Sequence, residues 1–475
     1  MSFEIASYGI IFAMYDLSDT ICAICTPPGT GGLAAIRISG NDSWAVAQKI
    51  FSKNHRFIGS STHQFIHMRA QHGYIIDCET IIDEVVILPY KAPKSYTTED
   101  VIEIFCHGSG KIASLILEFC VKSGSRKAKN GEFTFRAFVN GRIDLTAAEA
   151  VNEIINADNQ ELIFSATSVL KGSLRDKVSD FKERLLSLIT SIESSVEFPM
   201  DVISLEKDEV LSSLNKIKIN LETLIEQSED GQILRKGINI AIVGKPNVGK
   251  SSILNQLLEN ERAIVADEPG TTRDTIEEKV LIGELPIVLV DTAGIRDSQC
   301  LNDSERLGIE RSKSAIQKSD VLLYVYDLCE SLTPAFNESI ELFGDKAKVV
   351  VGNKLDLLGN DVSLYSRDSE IVYISAKHGT NIDKLKQVIV KKLNSMAVKS
   401  STNGSSFYVN ERQKLLLVSC LSYIKSSIEM LDKGLQEDLV PDELKNALSK
   451  LDEITGAKVN ENVIKNIFEK FCIGK

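Results

Sequence analysis

Gly244 to Ser251 read GKPNVGKS, a match to GxxxxGK[ST]. Backbone amides of such a turn curl round phosphate oxygens, and the dipole of the following helix favours the same negative charge. Lys250 is then placed to reach the outer phosphates, and Ser251 to offer a hydroxyl to magnesium. Asp291, Thr292, Ala293 and Gly294 read DTAG; the aspartate suits the magnesium shell and the glycine amide the terminal phosphate. Between these motifs, Thr271 and Thr272 lie in GTTRD, where a threonine can complete that shell. Asn353, Lys354 and Asp356 belong to NKLD. A carboxylate at Asp356 accepts two hydrogen bonds from the N–H groups on guanine's edge, a pair that adenine does not offer. Ser375, Ala376 and Lys377 follow the next apolar run and suit a backbone contact to the base oxygen. Such motifs, in this order and at the ends of successive strands, imply a GTP site. The remaining candidates for that site are Asn247, Val248, Gly249 and Ser252 in the phosphate loop, with Ala266, Asp267, Glu268, Pro269 and Gly270 leading into GTTRD.

The residue after DTAG is Ile295. Many small GTPases have glutamine there to orient the attacking water. Isoleucine has no group for that task, so catalysis needs another supplier. The Asn247 side-chain oxygen beside the phosphates suits a monovalent cation, which would bring the positive charge of an arginine finger. Arg273 and Arg296 are rival suppliers. Other reactive residues read as ordinary. Cys22 and Cys25 form a single CxxC in an apolar run, expected as packed, reduced thiols. His63 and His67 lack further ligands at metal spacing. Lys122, Arg126, Lys127 and Lys129 read as a solvated basic loop, with nucleic-acid contact the alternative.

The elements that must hold these motifs follow from pattern. Residues 20 to 140 read as mixed α/β: strands at ICAI, LAAIRI, IIDEVVILPY and VIEIFCHG, helices at Ser43–Phe51 and Ser109–Ser123. From Asp144 the period becomes helical, with Thr146 and Glu149 at capping-box spacing. Leu170, Leu174, Val178, Phe181, Leu185, Ile189, Ile192 and Val196 predict one apolar stripe on a long helix, which Pro199 stops. A second helix is expected over Lys207–Leu234. Strands INIAIV, IVLV, VLLYVY, KVVV and IVYIS then alternate with helices, the pattern of a parallel sheet covered on both faces. A Ser/Asn/Gly linker at 400–406 leads to a helical end.

The 475 residues suggest about three domains at roughly 150 residues each. Hydrophobic residues at 43% and charged residues at 25% describe a foldable globular chain, not a disordered one. A net charge of −12 restricts nucleic-acid contact to local basic patches or a partner. No apolar run approaches the roughly 18 residues of a membrane span. The apolar stretch Tyr8–Tyr15 lacks a basic start and a cleavage site, so it reads as mature sequence or as a misplaced start, with Met14 the alternative.

GKPNVGKSS, GTTRD, DTAGIR and ERLGIERS resemble the G domain of the MnmE (TrmE) family of tRNA-modifying GTPases. TPPGTGGLAAIRISG at 26–40, SYTTEDVIEIFCHG at 95–108, GEFTFRAFVNGRIDLTAAEA at 131–150 and the final FCIGK extend the resemblance to about residues 19–475. It implies an α/β and α multidomain fold: an N-terminal α/β folate-binding and dimerisation domain (1–140), a discontinuous helical domain (141–236 and 400–475), and an inserted Ras-like G domain with a mostly parallel sheet (237–399). It implies a cytoplasmic homodimer whose G domains meet when GTP and potassium bind. It also implies an MnmG (GidA)-like flavoprotein partner in a heterotetramer or larger assembly, no membrane, and tRNA as substrate. Carbon five of the wobble uridine would be modified with 5-formyltetrahydrofolate or methylenetetrahydrofolate as one-carbon donor. By the same resemblance, Ser251 and Thr272 bind magnesium, while Asn247, Ala266, Glu268 and Thr271 bind potassium. Glu305 positions the attacking water through a bridging water, with Lys250 the other catalytic candidate, although the stretch before ERLGIERS is longer here than the family's. Arg37, Glu103, Arg142 and Lys475 fall on folate-ligand positions; the family often has lysine at Arg142, which keeps the charge but not the fork. Cys472 is the family's C-terminal cysteine, either a nucleophile or a packed thiol. Two rivals stand beside this reading: a ribosome-assembly GTPase, and a folate enzyme with a regulatory G domain.

Overall fold

A computed structural model describes residues 17–54, 64–77, 80–157, 159–197, 207–236, 238–245, 247–259, 277–282, 285–291, 319–329, 346–358, 371–397, 409–434 and 439–475. The chain divides into two compact units: Met1–Asn152 with Ser168–Asn215 and Ser419–Lys475, and Glu153–Thr167 with Lys216–Val418. No helix among the described residues is long and apolar enough to cross a membrane.

The first unit is built on a seven-stranded sheet in the order β3-β4-β5-β6-β2-β1-β7. Its strands are β1 (Ile21–Ile24), β2 (Leu33–Ser39), β3 (Phe51–Ser52), β4 (Gln71–Asp77), β5 (Thr80–Tyr90), β6 (Val101–His107) and β7 (Arg126–Lys127). Period-two alternation decides which side chains meet. Ile36 and Ile38 of β2 point one way with Ile102 and Ile104 of β6, and bury against α1 (Ser43–Ile50) and α2 (Gly110–Lys122) through Val46, Ala47, Ile116 and Cys120. Arg37 and Glu103, between those isoleucines, are paired across the strands and share the opposite face. There Ile21, Ala23, Ala128 and Phe133 form a smaller core with Tyr96 packed on it. Phe133 belongs to α3 (Glu132–Val139), a helix buried almost all round.

Helices α4 (Leu145–Asn156), α5 (Gln160–Leu170) and α6 (Ser173–Glu197) follow, then α7 (Lys207–Lys236). Two expectations need correction here. Thr146 is not a cap: it lies inside α4, and its hydroxyl donates to Asp144 Oδ1 at 2.8 Å, which also accepts the Ala147 amide at 2.8 Å. Asp144 is the capping side chain, because only the residue before the first turn can reach that orphan amide. Nor is the apolar stripe one helix. Gly172, at φ +101°, breaks it between Leu170 and Leu174, since a left-handed residue cannot continue a right-handed helix.

The second unit holds a six-stranded sheet in the order β13-β12-β11-β8-β10-β9. Its strands are β8 (Ile238–Val243), β9 (Glu277–Ile282), β10 (Leu285–Asp291), β11 (Val321–Asp327), β12 (Ala347–Asn353) and β13 (Ile371–Tyr373). All neighbours are parallel except β9 on β10. The runs INIAIV and VLLYVY are buried on both faces, as parallel strands require. Ile240, Ile242, Leu323 and Val325 pack with Ile253 and Leu257 of α8 (Lys250–Glu259) and Leu385 and Ile389 of α9 (Ile382–Ala397). Ala241, Val243, Leu322 and Tyr324 form a second core. The sequence reading omits β9, whose EEKVLI lacks an apolar run because it is an antiparallel edge strand. The chain closes with α10 (Glu411–Lys433), α11 (Val440–Thr455) and α12 (Glu461–Phe468). Phe468 and Phe471 pack with Phe135 and Phe138, and Lys182 of α6 pairs with Asp452 of α11 at 2.5 Å.

Candidate functional site

Chain order reverses at β8: β10 lies on one side of it and β11 on the other. In open parallel sheets the crevice at such a point, beyond the carboxyl ends of the strands, takes ligands. The phosphate loop begins there. Asn247 adopts φ +64° and Gly249 φ +96°. A Cβ on Gly244 would overlap the Val325 carbonyl oxygen, so the loop crosses β11 only as glycine. Ser251 and Ser252 follow Lys250 in the first turn of α8. Lys250 Nζ donates to the Gly244 and Lys245 carbonyls, both at 2.8 Å, which keeps the ammonium over the loop.

One side chain joins the loops. Asn353 Nδ2 donates to the Val248 carbonyl at 2.8 Å, and Asn353 Oδ1 accepts the Ala376 amide at 3.0 Å. The phosphate loop, NKLD and SAK are therefore tied together through Asn353. Asp356 accepts the Ser375 hydroxyl at 2.5 Å. That bond, with lesser help from His378 and Lys377, holds its carboxyl below the ordinary aspartate range. The group is thus ionised and acceptor-only, as guanine's two donors require. Lys354, at φ +68°, pairs with Asp327 at 2.7 Å. Burial raises the Asp327 carboxyl, but the Lys354 hydrogen bond and charge together with hydrogen bonds from Cys329 leave the net shift downward. The sequence reading missed Asp327. Its position at the end of β11, level with Asn353 on β12, is the available signal. Asp291 closes β10. Ala266, Asp267, Glu268, Pro269, Gly270, Thr271, Thr272, Thr292, Ala293, Gly294 and Glu305 lie outside the described residues, as do Arg273, Ile295 and Arg296.

The first unit carries the other candidate cluster. Arg37 donates through Nε and Nη2 to Glu103 Oε1 at 3.0 and 2.8 Å, with the two side chains only 16% and 19% exposed. Burial lowers the guanidinium, but Cys25 and Glu103 leave it above its ordinary value. Burial, followed by the neighbouring Glu103, raises the Tyr90 phenol. Arg37 lies over the Tyr96 ring at 5.0 Å and the Phe133 ring at 5.5 Å. Arg142 covers Tyr96 at 4.8 Å. The last residues return to this place: the Lys475 carbonyl accepts the Phe133 amide at 3.1 Å, and the Gly474 carbonyl accepts the Cys25 thiol at 3.3 Å. Arg37, Glu103, Arg142 and Lys475 are therefore brought together around aromatic rings that the sequence reading did not name. Burial pushes the Cys25 thiol up despite Arg37 and Lys475. Cys22 is buried and Cys472 exposed. His67 Nδ1 accepts the Lys91 amide at 2.9 Å, and His63 lies outside the described residues. Arg126 is no loop cation: it sits in β7 and pairs with Asp19 and Glu132, each at 2.5 Å.

A model described as "GTP-binding protein TrmE N-terminus" matches residues 20–142, and "MnmE helical domain" matches residues 145–472. The tRNA modification GTPase MnmE of Thermotoga maritima is 38% identical over 462 residues, covering 96% of this chain and 100% of that protein. The protein of the same name from Moorella thermoacetica is 38% identical over 471 residues, covering 97% and 100%. Among solved structures, Aquifex aeolicus Era bound to GDP and aluminium fluoride is 28% identical, covering 39% of this chain and 66% of that chain at a TM-score of 0.26.

Proposed function

The chain belongs to the MnmE family of tRNA modification GTPases, and from that premise we propose a potassium-activated GTPase that works with an MnmG-like flavoprotein on carbon five of the wobble uridine of certain tRNAs. It is a GTP hydrolase of tRNA modification. The supporting observation is kinship from end to end, which takes in the phosphate loop and the Arg37 cluster together. In this reading the protein is a cytoplasmic homodimer, and its G domain (237–399) is inserted in a helical domain (141–236 and 400–475) behind a folate-binding domain (1–140).

The residues fit their groups. Glycine where a Cβ would strike Val325, beside a left-handed Asn247, leaves backbone amides open to phosphates. Asp356, ionised, selects guanine. Lys250 neutralises charge on the outer phosphates, and Glu305 positions the attacking water through a bridging water. Ser251 with Thr272 would hold magnesium, and Asn247 with Ala266, Glu268 and Thr271 potassium. When bound, potassium supplies positive charge at the leaving phosphate, the task an arginine finger has elsewhere. The half-buried Arg37–Glu103 pair among Tyr90, Tyr96 and Phe133 suits a flat heterocycle with both donors and acceptors. Arg37, Glu103, Arg142 and Lys475 would hold 5-formyltetrahydrofolate or methylenetetrahydrofolate, which supplies the one-carbon unit.

Nucleoside analysis of tRNA from cells lacking this chain tests the reading. The expected result is loss of the modified wobble uridine, restored by the parent gene. Intact modification with defective ribosomal subunits would overturn it in favour of an assembly GTPase.

A further inference from the structure

Asp327 closes β11 and divides its carboxylate between two partners. Oδ1 accepts the Cys329 amide at 2.9 Å, and Oδ2 pairs with Lys354 Nζ at 2.7 Å. The aspartate side chain is 12% exposed, so its charge needs compensation, and the Lys354 ammonium supplies it. The β11–β12 register sets Asp327 opposite Asn353, which leaves Lys354 one residue past the end of its strand. The backbone there is held from both sides. The Asn353 carbonyl accepts the Leu328 amide, and the Leu355 amide donates to the Ile374 carbonyl, each at 3.0 Å. Lys354 takes φ +68° between these bonds. A non-glycine residue stays in that region only where its surroundings over-determine it.

Three charges gather at this end of the sheet. Asp327, Lys354 and Asp356 all act electrostatically on the Cys329 thiol, so they share one neighbourhood. Asp356 must keep acceptors open for guanine, while Ser375 donates to its Oδ1 and His378 Nε2 stands 3.9 Å from its Oδ2. An ammonium on a flexible four-carbon stem follows whichever carboxylate holds it best. Two carboxylates compete for Lys354 here, and Asp327 has it. We infer that Asp327 is a positioning residue for base recognition: it draws the Lys354 ammonium away from Asp356, keeps Asp356 free for guanine, and leaves the apolar stem of Lys354 to cover the base. Asp327 acts through Lys354. The inference deepens the GTP reading and rests on NKLD as the guanine loop.

The experiment is calorimetric titration of the full-length chain with GDP and with inosine diphosphate, which lacks guanine's exocyclic amine. Asp327→Asn keeps an acceptor for the Cys329 amide and removes the charge. It should bind GDP about tenfold more weakly or worse, the order of one charge-assisted hydrogen bond lost. Inosine diphosphate offers Asp356 one donor where guanine offers two. With the freed ammonium on Asp356, the preference for GDP should therefore shrink by about threefold or more. Asp327→Asn combined with Lys354→Met removes that ammonium and should bind GDP more tightly than Asp327→Asn alone. Asp327→Ser, a smaller acceptor at the same place, is a second variant with the same expected order of loss. A purely structural role predicts equal losses for the two nucleotides and a double variant no better than the single one. Either result overturns the inference, as does parental GDP affinity in Asp327→Asn. Asp356→Asn separates the inference from the reading beneath it. Parental GDP affinity in that variant overturns NKLD as the guanine loop and the inference with it. A loss there, with parental affinity in Asp327→Asn, overturns the role of Asp327 alone.

Discussion

At the residue scale, Asp356 owes its chemistry to a neighbour that the linear motif does not name. NKLD predicts a carboxylate for guanine, and the Ser375 hydroxyl at 2.5 Å orients that carboxylate and lowers it further below the ordinary aspartate range. Asp356→Asn replaces one acceptor by a donor. Affinity for GTP should then fall by about a hundredfold or more, since a donor facing guanine's N–H leaves both unpaired, and xanthosine triphosphate should bind in its place. Competition of the two nucleotides for a fluorescent analogue measures both changes, and unaltered GTP affinity would remove Asp356 from the base site. The same limit explains what the sequence hid elsewhere. Arg37 and Glu103 are 66 positions apart, and only the β2–β6 register makes them partners. Tyr96 and Phe133 carry no signal in the sequence, and only that register places Arg37 over them.

At the element scale, periodicity carried most of the architecture, because strand runs such as INIAIV and VLLYVY are long, apolar and bounded by turns. It failed where a local geometry overrode the pattern. Thr146 has the right spacing for a capping box, yet it is Asp144 that accepts the Ala147 amide. Leu170 and Leu174 keep helical spacing across Gly172, whose left-handed backbone ends α5 and starts α6. The phosphate loop is the opposite case, where local chemistry and tertiary contact agree. Gly249 stands at φ +96°, and a Cβ there would fall 2.2 Å from Asn353 Nδ2. Gly249→Ala therefore strains the backbone and pushes away the side chain that joins three loops. Strain of this kind costs about 1–3 kcal/mol, and the displaced Asn353 leaves the Val248 carbonyl and the Ala376 amide without their partner. GTP binding should weaken by at least about tenfold, and filter binding reads the change. A parental dissociation constant would show that the loop re-forms without Asn353.

At the scale of the whole molecule, each unit has a feature that its function depends on. In the first, Arg136 is fully buried and pairs with Asp19 at 2.7 Å, Glu99 at 3.0 Å and Glu132 at 3.2 Å, and Glu132 is itself fully buried. Removing one member leaves charges buried without compensation, which costs about 3–5 kcal/mol. Arg136→Met should lower the unfolding free energy by that order, and Arg136→Met with Glu132→Gln should recover part of it. Trp44, the single tryptophan, packs beside the core of this unit and reports the transition by fluorescence. In the second unit, the chain has Ile295 where a water-orienting glutamine is usual. Asn247 stands exposed in left-handed backbone within the phosphate loop. In the proposed mechanism a potassium ion at Asn247, or else Arg273 or Arg296, supplies positive charge at the leaving phosphate. The potassium reading makes the whole assembly respond to one ion, because the same loop would bring two G domains together. Potassium should accelerate GTP turnover over sodium at equal ionic strength by roughly a thousandfold, the order of an arginine finger. Sedimentation in potassium with a GTP transition-state mimic should report closer association of the G domains than in sodium. Asn247→Ala should make turnover nearly independent of the salt while nucleotide still binds. Equal rates of the parent protein in the two salts would remove the ion from the mechanism and return the charge to Arg273 or Arg296, whose alanine variants would then lose the turnover that potassium failed to explain.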